Sequence, residues 1–425
     1  MMNSGQSIRP GTSRDPDVIN VLFLCDEWKS SKGGLSTFNR ELAVNLAETS
    51  SDSIKVHCYV LQSDEQDRED ARQHGVNLIT AQKFPGSTDP LECLKIPPPL
   101  QDLHVVIGHG RKFGVPAYFI ANNTKCKWIQ FVHVFCEDLG KYKMAKRSAE
   151  DTIDENESKH RREKELCEAA DMVVGVGSSL QTKYQKCLPR GINVHVLTPG
   201  IFESFVCHPQ RYPSELRSLG EHGPVADQDA EFSVFVFGRL TLEDLSVKGF
   251  DVIAKAIASL GEGFKLTIVG SPPAKQRRME KWFLKNTKIT REQLTIRRYC
   301  DQQELKRMFQ EAHLVALPSR AEGFGLVALE AISAAVPVLV SKQSGIAKAL
   351  QKVETGDFVI VASQKPEEWA RKILQLSQQT LQERSENAIQ LQKNYGRTYS
   401  WNAECETFKR MIVSVLEGMW GNAQA

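Results

Sequence analysis

No apolar run in this 425-residue chain approaches the roughly 20 residues that would span a bilayer, so no transmembrane segment is expected in it. Charge of one sign is scarce too: 54 Lys and Arg stand against 52 Asp and Glu, a formal net charge of +2. The overall balance therefore signals neither a nucleic-acid nor a membrane partner. Ten cysteines are present without a CxxC pair, and Cys25 and Cys58 fall inside apolar strand-like runs. That spacing argues against a zinc ribbon and a disulfide framework, and for reduced thiols in a cytoplasmic protein. There is no GxxxxGK[ST] loop and no GxGxxG, so neither the P-loop nor the dinucleotide fingerprint applies. No DxD stands at a strand end, because Asp15-Pro16-Asp17 lies in the polar stretch 1–17. That stretch lacks the apolar centre of a signal peptide and reads as a disordered leader, or as the cut edge of a larger multidomain protein. Internal repeats and long low-complexity tracts are also missing.

The chain does contain short apolar runs alternating with amphipathic ones, the pattern of parallel α/β sheets. Val18 to Cys25 reads as a first strand, followed by a turn at Lys32-Gly33-Gly34 and a helix with Leu35, Phe38, Leu42 and Leu46 on one face. A glycine turn between strand and helix is an anion-binding geometry, although a GG pair alone is equally an ordinary tight turn. Ile54–Leu61, Leu103–Ile107, Trp128–Val132, Met172–Val174 and Val194–Leu197 read as further strands. Asp64 to Asp70 reads as a solvated helix face, Lys141 to Glu165 as a charged helical excursion, and Ser178 as a helix N-cap. Two strands end in histidines, His109 and His133, at the edge where open α/β sheets bind ligands. Either could equally be a satisfied structural histidine.

A second series starts at Phe232–Phe237, with Gly238-Arg239 after it and Lys248 nine residues on, before the helix from Asp251 to Leu260. Phe264–Gly270 and Leu294–Ile296 continue it. The densest chemistry lies in 318–345, PSRAEGFGLVALEAISAAVPVLVSKQSG, flanked by the apolar runs Leu314–Leu317 and Val338–Val340. Gly323 and Gly325 occupy the turn before a helix expected over Ala328 to Ala335, a place where backbone N–H groups and a helix N-terminus can hold a diphosphate. Glu322 sits outside that helix and Glu330 about two turns inside it. Acids beside an anion site suit hydroxyl binding, and a nucleotide-sugar has hydroxyls on both sides of its diphosphate.

Glu322-Gly323-Phe324-Gly325-Leu326, with Glu330 eight positions after Glu322, resembles the E-x7-E motif of retaining GT-B glycosyltransferases. "RYCDQQELKRMFQEAHLVALPS" upstream and "AVPVLVSKQSGIAKAL" downstream fit that family's donor domain. The resemblance implies two Rossmann-like, doubly wound domains facing across a cleft: an acceptor-side domain over 18–205, a linker over 206–230, a nucleotide-sugar domain over 231–398, and a helix over 399–425 returning to the first. It implies that Glu322 contacts the donor sugar, that Glu330 holds the ribose, and that the Gly325-Leu326-Val327 backbone holds the diphosphate. Arg239 and Lys248 correspond to its paired diphosphate cations, and Lys32-Gly33-Gly34 to a loop across the cleft. His133 matches a histidine beside the donor sugar, with His109 a weaker cleft residue. Tyr299 and Cys300 lie in the turn that holds the base, although Tyr299 could equally pack in a core. The family commonly has Asn where Pro199 stands.

The implied activity is retaining transfer from a nucleoside-diphosphate sugar to an unidentified acceptor hydroxyl, with no metal or other cofactor. Two rivals stand beside it: a nucleotide-sugar-binding module without turnover in a larger sensing or scaffold protein, and a GT-B epimerase. Because the ligand groups are split between domains, closure on donor binding is expected, with only modest interdomain contact beforehand.

Overall fold

A computed structural model describes residues 18–29, 34–142, 149–206 and 231–420. The leader, Lys32, Gly33, most of the linker and the last five residues lie outside them.

The first sheet has seven parallel strands in the order β3-β2-β1-β4-β5-β6-β7. They are β1 (Ile19–Glu27), β2 (Ile54–Gln62), β3 (Val76–Thr80), β4 (Leu103–His109), β5 (Lys127–Val132), β6 (Met172–Val176) and β7 (Val194–Leu197). The edge strand β3 had no clear sequence signal, since its five residues VNLIT are mostly half-exposed. Helices α1 (Gly34–Thr49), α2 (Glu65–Gln73), α3 (Gly110–Thr124), α4 (Cys136–Gly140), α5 (Ala149–Ala169) and α6 (Ser178–Cys187) cover its faces. At the start of α6 the N-cap is Gly177 rather than Ser178, and it makes no side-chain cap bond.

The second sheet has six parallel strands in the order β10-β9-β8-β11-β12-β13. These are β8 (Phe232–Phe237), β9 (Phe264–Ser271), β10 (Leu294–Arg298), β11 (Leu314–Leu317), β12 (Val338–Ser341) and the two-residue β13 (Ile360–Val361). Its helices are α7 (Phe250–Leu260), α8 (Gln276–Asn286), α9 (Gln302–Glu311), α10 (Leu326–Ser333), α11 (Gly345–Leu350), α12 (Pro366–Ser377) and α13 (Leu381–Thr398). Both sheets reverse strand order beside their first strand, at β1/β4 and at β8/β11. Such switch points open a crevice at the carboxyl ends of the strands, and most of the sequence-derived site residues fall there.

The chain then breaks at Tyr399, and α14 (Trp401–Trp420) packs back on the first sheet. Trp401 Nε1 donates to the Ile201 carbonyl at 2.9 Å, and the Phe408 ring lies 5.5 Å from that of Phe131.

The domains touch more than expected for an empty cleft. One apolar cluster runs from Phe38, Phe131 and Val174 of the first to Phe324, Leu329 and Ile346 of the second. The amide of Phe202 donates to Ser333 Oγ at 2.9 Å, and Gln302 Nε2 to Ser204 Oγ at 3.1 Å. The reason lies in small residues at the seam. The Phe324 ring packs on Gly177, and Leu326 lies against Gly34, so backbone meets side chain with no intervening Cβ.

Candidate active site

The loop from β11 to α10 is fixed from both ends. Arg320 makes a bidentate pair with Asp251 at 2.7 and 2.8 Å and donates to the Ser246 carbonyl at 2.7 Å. This pair was not foreseen. It ties the loop carrying Glu322 to the loop carrying Lys248, which sequence separation gave no reason to expect. Lys248 Nζ then lies 2.6 Å from Glu322 Oε2, which also accepts from Ser319 Oγ at 3.2 Å.

The two loop glycines have different jobs. A Cβ on Gly323 would stand 1.9 Å from the His133 carbonyl oxygen, so this glycine admits the first domain's β5 end. Gly325 has φ +107° and is the N-cap of α10, a conformation that a side chain would strain. The amides of Leu326 and Val327 in the first turn have no acceptor among the described residues. Those two N–H groups stand at the N-terminus of α10, where the positive end of the helix dipole lies. The Phe324 side chain is buried against Gly177 and so is turned away from a ligand, and its carbonyl accepts from the Ile346 amide at 2.6 Å.

Arg239 follows β8 with its side chain 65 % exposed, and its Nε donates to Asp244 Oδ2 at 2.7 Å. Asp244 is buried and is itself held by the Thr241 hydroxyl at 2.9 Å. Each proposed diphosphate cation thus rests on a carboxylate of its own domain.

Glu330 is 3 % exposed, and burial pushes its carboxyl up to about 8. The nearby Thr37 hydroxyl of α1 acts against this shift. Glu330 opens onto a cavity of about 450 Å³ that Arg239, Gly270, Tyr299, Cys300 and Val327 also line, with Gly34 and Phe205 from the first domain. Tyr299 is therefore a wall of this cavity and not a core residue. Burial, with Glu304 and Asp301 nearby, pushes the Cys300 thiol up to about 11, so it stays protonated. Phe205 was not foreseen, and nothing in its sequence context marks it before the two domains are brought together.

His109 does not face the cleft. It is 1 % exposed and stands behind His133, with Nδ1 3.0 Å from His133 Nε2 and Nε2 2.8 Å from Asn39 Oδ1. An amide oxygen only accepts, so His109 carries its proton on Nε2. Its Nδ1 then accepts from His133 Nε2–H, and His133 keeps Nδ1 as an acceptor. Burial lowers His133 to about 3, and burial together with its neighbour holds His109 well below its ordinary value. Both rings are neutral at physiological pH. Asn39, which sets this tautomer, carried no motif. Among the described residues, no three His, Cys, Asp or Glu side chains converge as metal ligands.

Two like-wound Rossmann domains closing on a shared cleft define the GT-B architecture. The solved structure of sucrose-phosphate synthase from Thermosynechococcus elongatus superposes with TM-score 0.71 at 18 % identity, covering 94 % of this chain and all of that one. HepE of Anabaena, in a crystal structure with UDP-glucose, gives TM-score 0.63 at 17 % identity over 93 % of this chain and all of that one. The family model described as Family 4 Glycosyltransferase in conflict systems matches residues 22–408, and the chain belongs to that family. Among curated relatives, D-inositol 3-phosphate glycosyltransferase of Corynebacterium diphtheriae is 29 % identical over 311 residues, 69 % of this chain and 66 % of that protein. The same enzyme of Paenarthrobacter aurescens is 25 % identical over 54 % of this chain and 50 % of its own length. The match thus spans one half to about two thirds of these relatives.

Proposed function

We propose that the protein is a retaining, metal-independent glycosyltransferase that moves a sugar from a nucleoside diphosphate to an acceptor hydroxyl. The observation carrying this reading is the convergence of Arg239, Glu330 and the Val327 end of α10 on one cavity, with the Lys248–Glu322 pair on the adjoining loop. The base would sit by Tyr299 and Cys300, and the ribose hydroxyls at Glu330. The diphosphate would lie on the free amides of α10. Departure of the nucleoside diphosphate develops negative charge, which Arg239, Lys248 and the helix dipole are placed to stabilise. To do so, both cations exchange their resting carboxylates for phosphate oxygens. Glu322, released from Lys248, is then free to accept from sugar hydroxyls. His133, neutral and oriented by His109, offers Nδ1 to a hydroxyl proton. Retention is served if a leaving phosphate oxygen takes the acceptor's proton on the face it departs from.

A screen of nucleotide-sugars by calorimetry alongside a turnover assay tests this. UDP-sugars come first as donors, since HepE was crystallised with UDP-glucose, and inositol phosphate comes first as acceptor, since it appears in the curated relatives' names. Release of nucleoside diphosphate with the anomeric configuration kept in the product is the expected result. Tight binding without chemistry would favour a non-catalytic module, and an inverted product would overturn retention.

A further inference from the structure

The near-neutral total charge conceals a segregated patch. Between Lys275 and Arg298 the sequence has nine Lys and Arg against two Asp and Glu, a net +7 within a chain of +2. This stretch folds as α8 followed by β10, the edge strand of the second sheet. Arg277, Arg278, Lys281 and Lys285 recur at spacings of three and four along α8, so they share one face, and all four are exposed. Lys275 and Lys288, both exposed, flank the helix at its two ends. None of these six has an ion-pair partner among the described residues, and the two acids do not cancel them. Glu280 pairs with Arg291, and Glu292 lies exposed in the following turn.

The opposite side of α8 is occupied, because Met279 and Phe283 are buried in the second domain's core. The helix therefore has no apolar face to insert anywhere, and its free face can act only through charge. From this geometry we infer that α8 docks the protein on an anionic lipid surface. A group of four to eight Lys and Arg on one amphipathic helix suits a bilayer of acidic headgroups. Single-stranded nucleic acid fits less well, because base stacking needs free aromatic rings beside the cations. The exposed ring nearby, Tyr299, lines the donor cavity, and Trp282 is half-buried.

Co-sedimentation with vesicles tests this without reference to catalysis. The full chain is expected to bind phosphatidylcholine vesicles containing phosphatidylglycerol, not phosphatidylcholine alone, and to be released by high salt. Replacing Arg277, Arg278, Lys281 and Lys285 by Gln should lower partition about fivefold per cation, several-hundredfold in all. A control with the exposed Lys83, Lys125, Lys186 and Arg190 changed to Gln removes the same charge elsewhere and should retain most of the binding. Matching thermal unfolding of the variants with the parent keeps loss of folding out of the comparison. Absence of binding to the acidic vesicles, equal loss in both variants, or tighter salt-sensitive binding to an oligonucleotide than to the vesicles would each overturn the proposal.

Discussion

The two domains share a winding order, yet their switch points are chemically opposite. At β1, β4 and β5 the first domain presents Asn39, His109 and His133, joined in one uncharged hydrogen-bond chain. At β8 and β11 the second presents Arg239 on Asp244 and Lys248 on Glu322, two charge pairs poised to separate. The same fold thus supplies a neutral wall, which in the proposed reaction meets sugar hydroxyls, and a charged wall, which in that reaction meets the leaving diphosphate. Burial explains the contrast, since a desolvated ring keeps its charge only with a partner ion and the histidines have none.

If that division holds, Lys248→Ala should lower kcat by about 10²–10³ with little change in KM, as loss of one transition-state electrostatic contact does. His133→Phe should cost about tenfold or less in kcat/KM, as one neutral hydrogen bond does. Equal losses in steady-state assays would erase the distinction between the walls.

Next in size is a pH effect at the seam. The carboxyl of Glu330 titrates at about 8 when folded against an ordinary 4.5, so the native state holds the proton longer. Its contribution to stability is intact below 4.5 and is lost as pH rises through about 8. Glu330→Gln should flatten that decline, gaining on the order of 2 kcal/mol at alkaline pH in denaturant titrations. The histidines act in the other direction: His133, at about 3, withdraws stability as pH falls below its ordinary 6.5. A Gln variant with the parent's alkaline slope would place the titration elsewhere.

Gly323→Ala sharpens the comparison at the point where the walls meet. Its methyl would strike the His133 carbonyl, which is backbone and cannot rotate away, at a cost of about 1–3 kcal/mol. Scattering should show a larger radius of gyration and calorimetry a lower Tm. Gly34→Ala meets only the Leu326 side chain and should be milder. An unchanged scattering profile for Gly323→Ala would mean that the seam yields without opening.

The smallest effect is expected from Asp244→Asn. With the resting carboxylate removed, a nucleoside diphosphate no longer competes for Arg239. Binding measured by calorimetry should tighten a few-fold, about 1 kcal/mol, since the guanidinium side of this half-exposed pair stays screened by solvent. Weaker binding would show that Asp244 orients the guanidinium instead of occupying it.

The alternating apolar runs and the E-x7-E spacing were enough to read parallel α/β domains and the loop from Glu322 to Glu330, because strand burial and helix-terminus chemistry are local. Strand β3 leaves no mark in the sequence because an edge strand of half-exposed residues lacks a burial pattern. His109 looked like a cleft residue because a strand end is visible in sequence while the ring packed in front of it is not. Gly323 was legible as a turn residue, yet its closest contact comes from a carbonyl 190 positions earlier. The sequence by itself determined which residues carry charge and where each strand delivers them. Only the tertiary structure decided which carboxylate each cation rests on, that His109 is buried against His133, and that the cations of α8 form one free face. Those outcomes depend on distances and burial between segments far apart in the chain, and no local pattern encodes them.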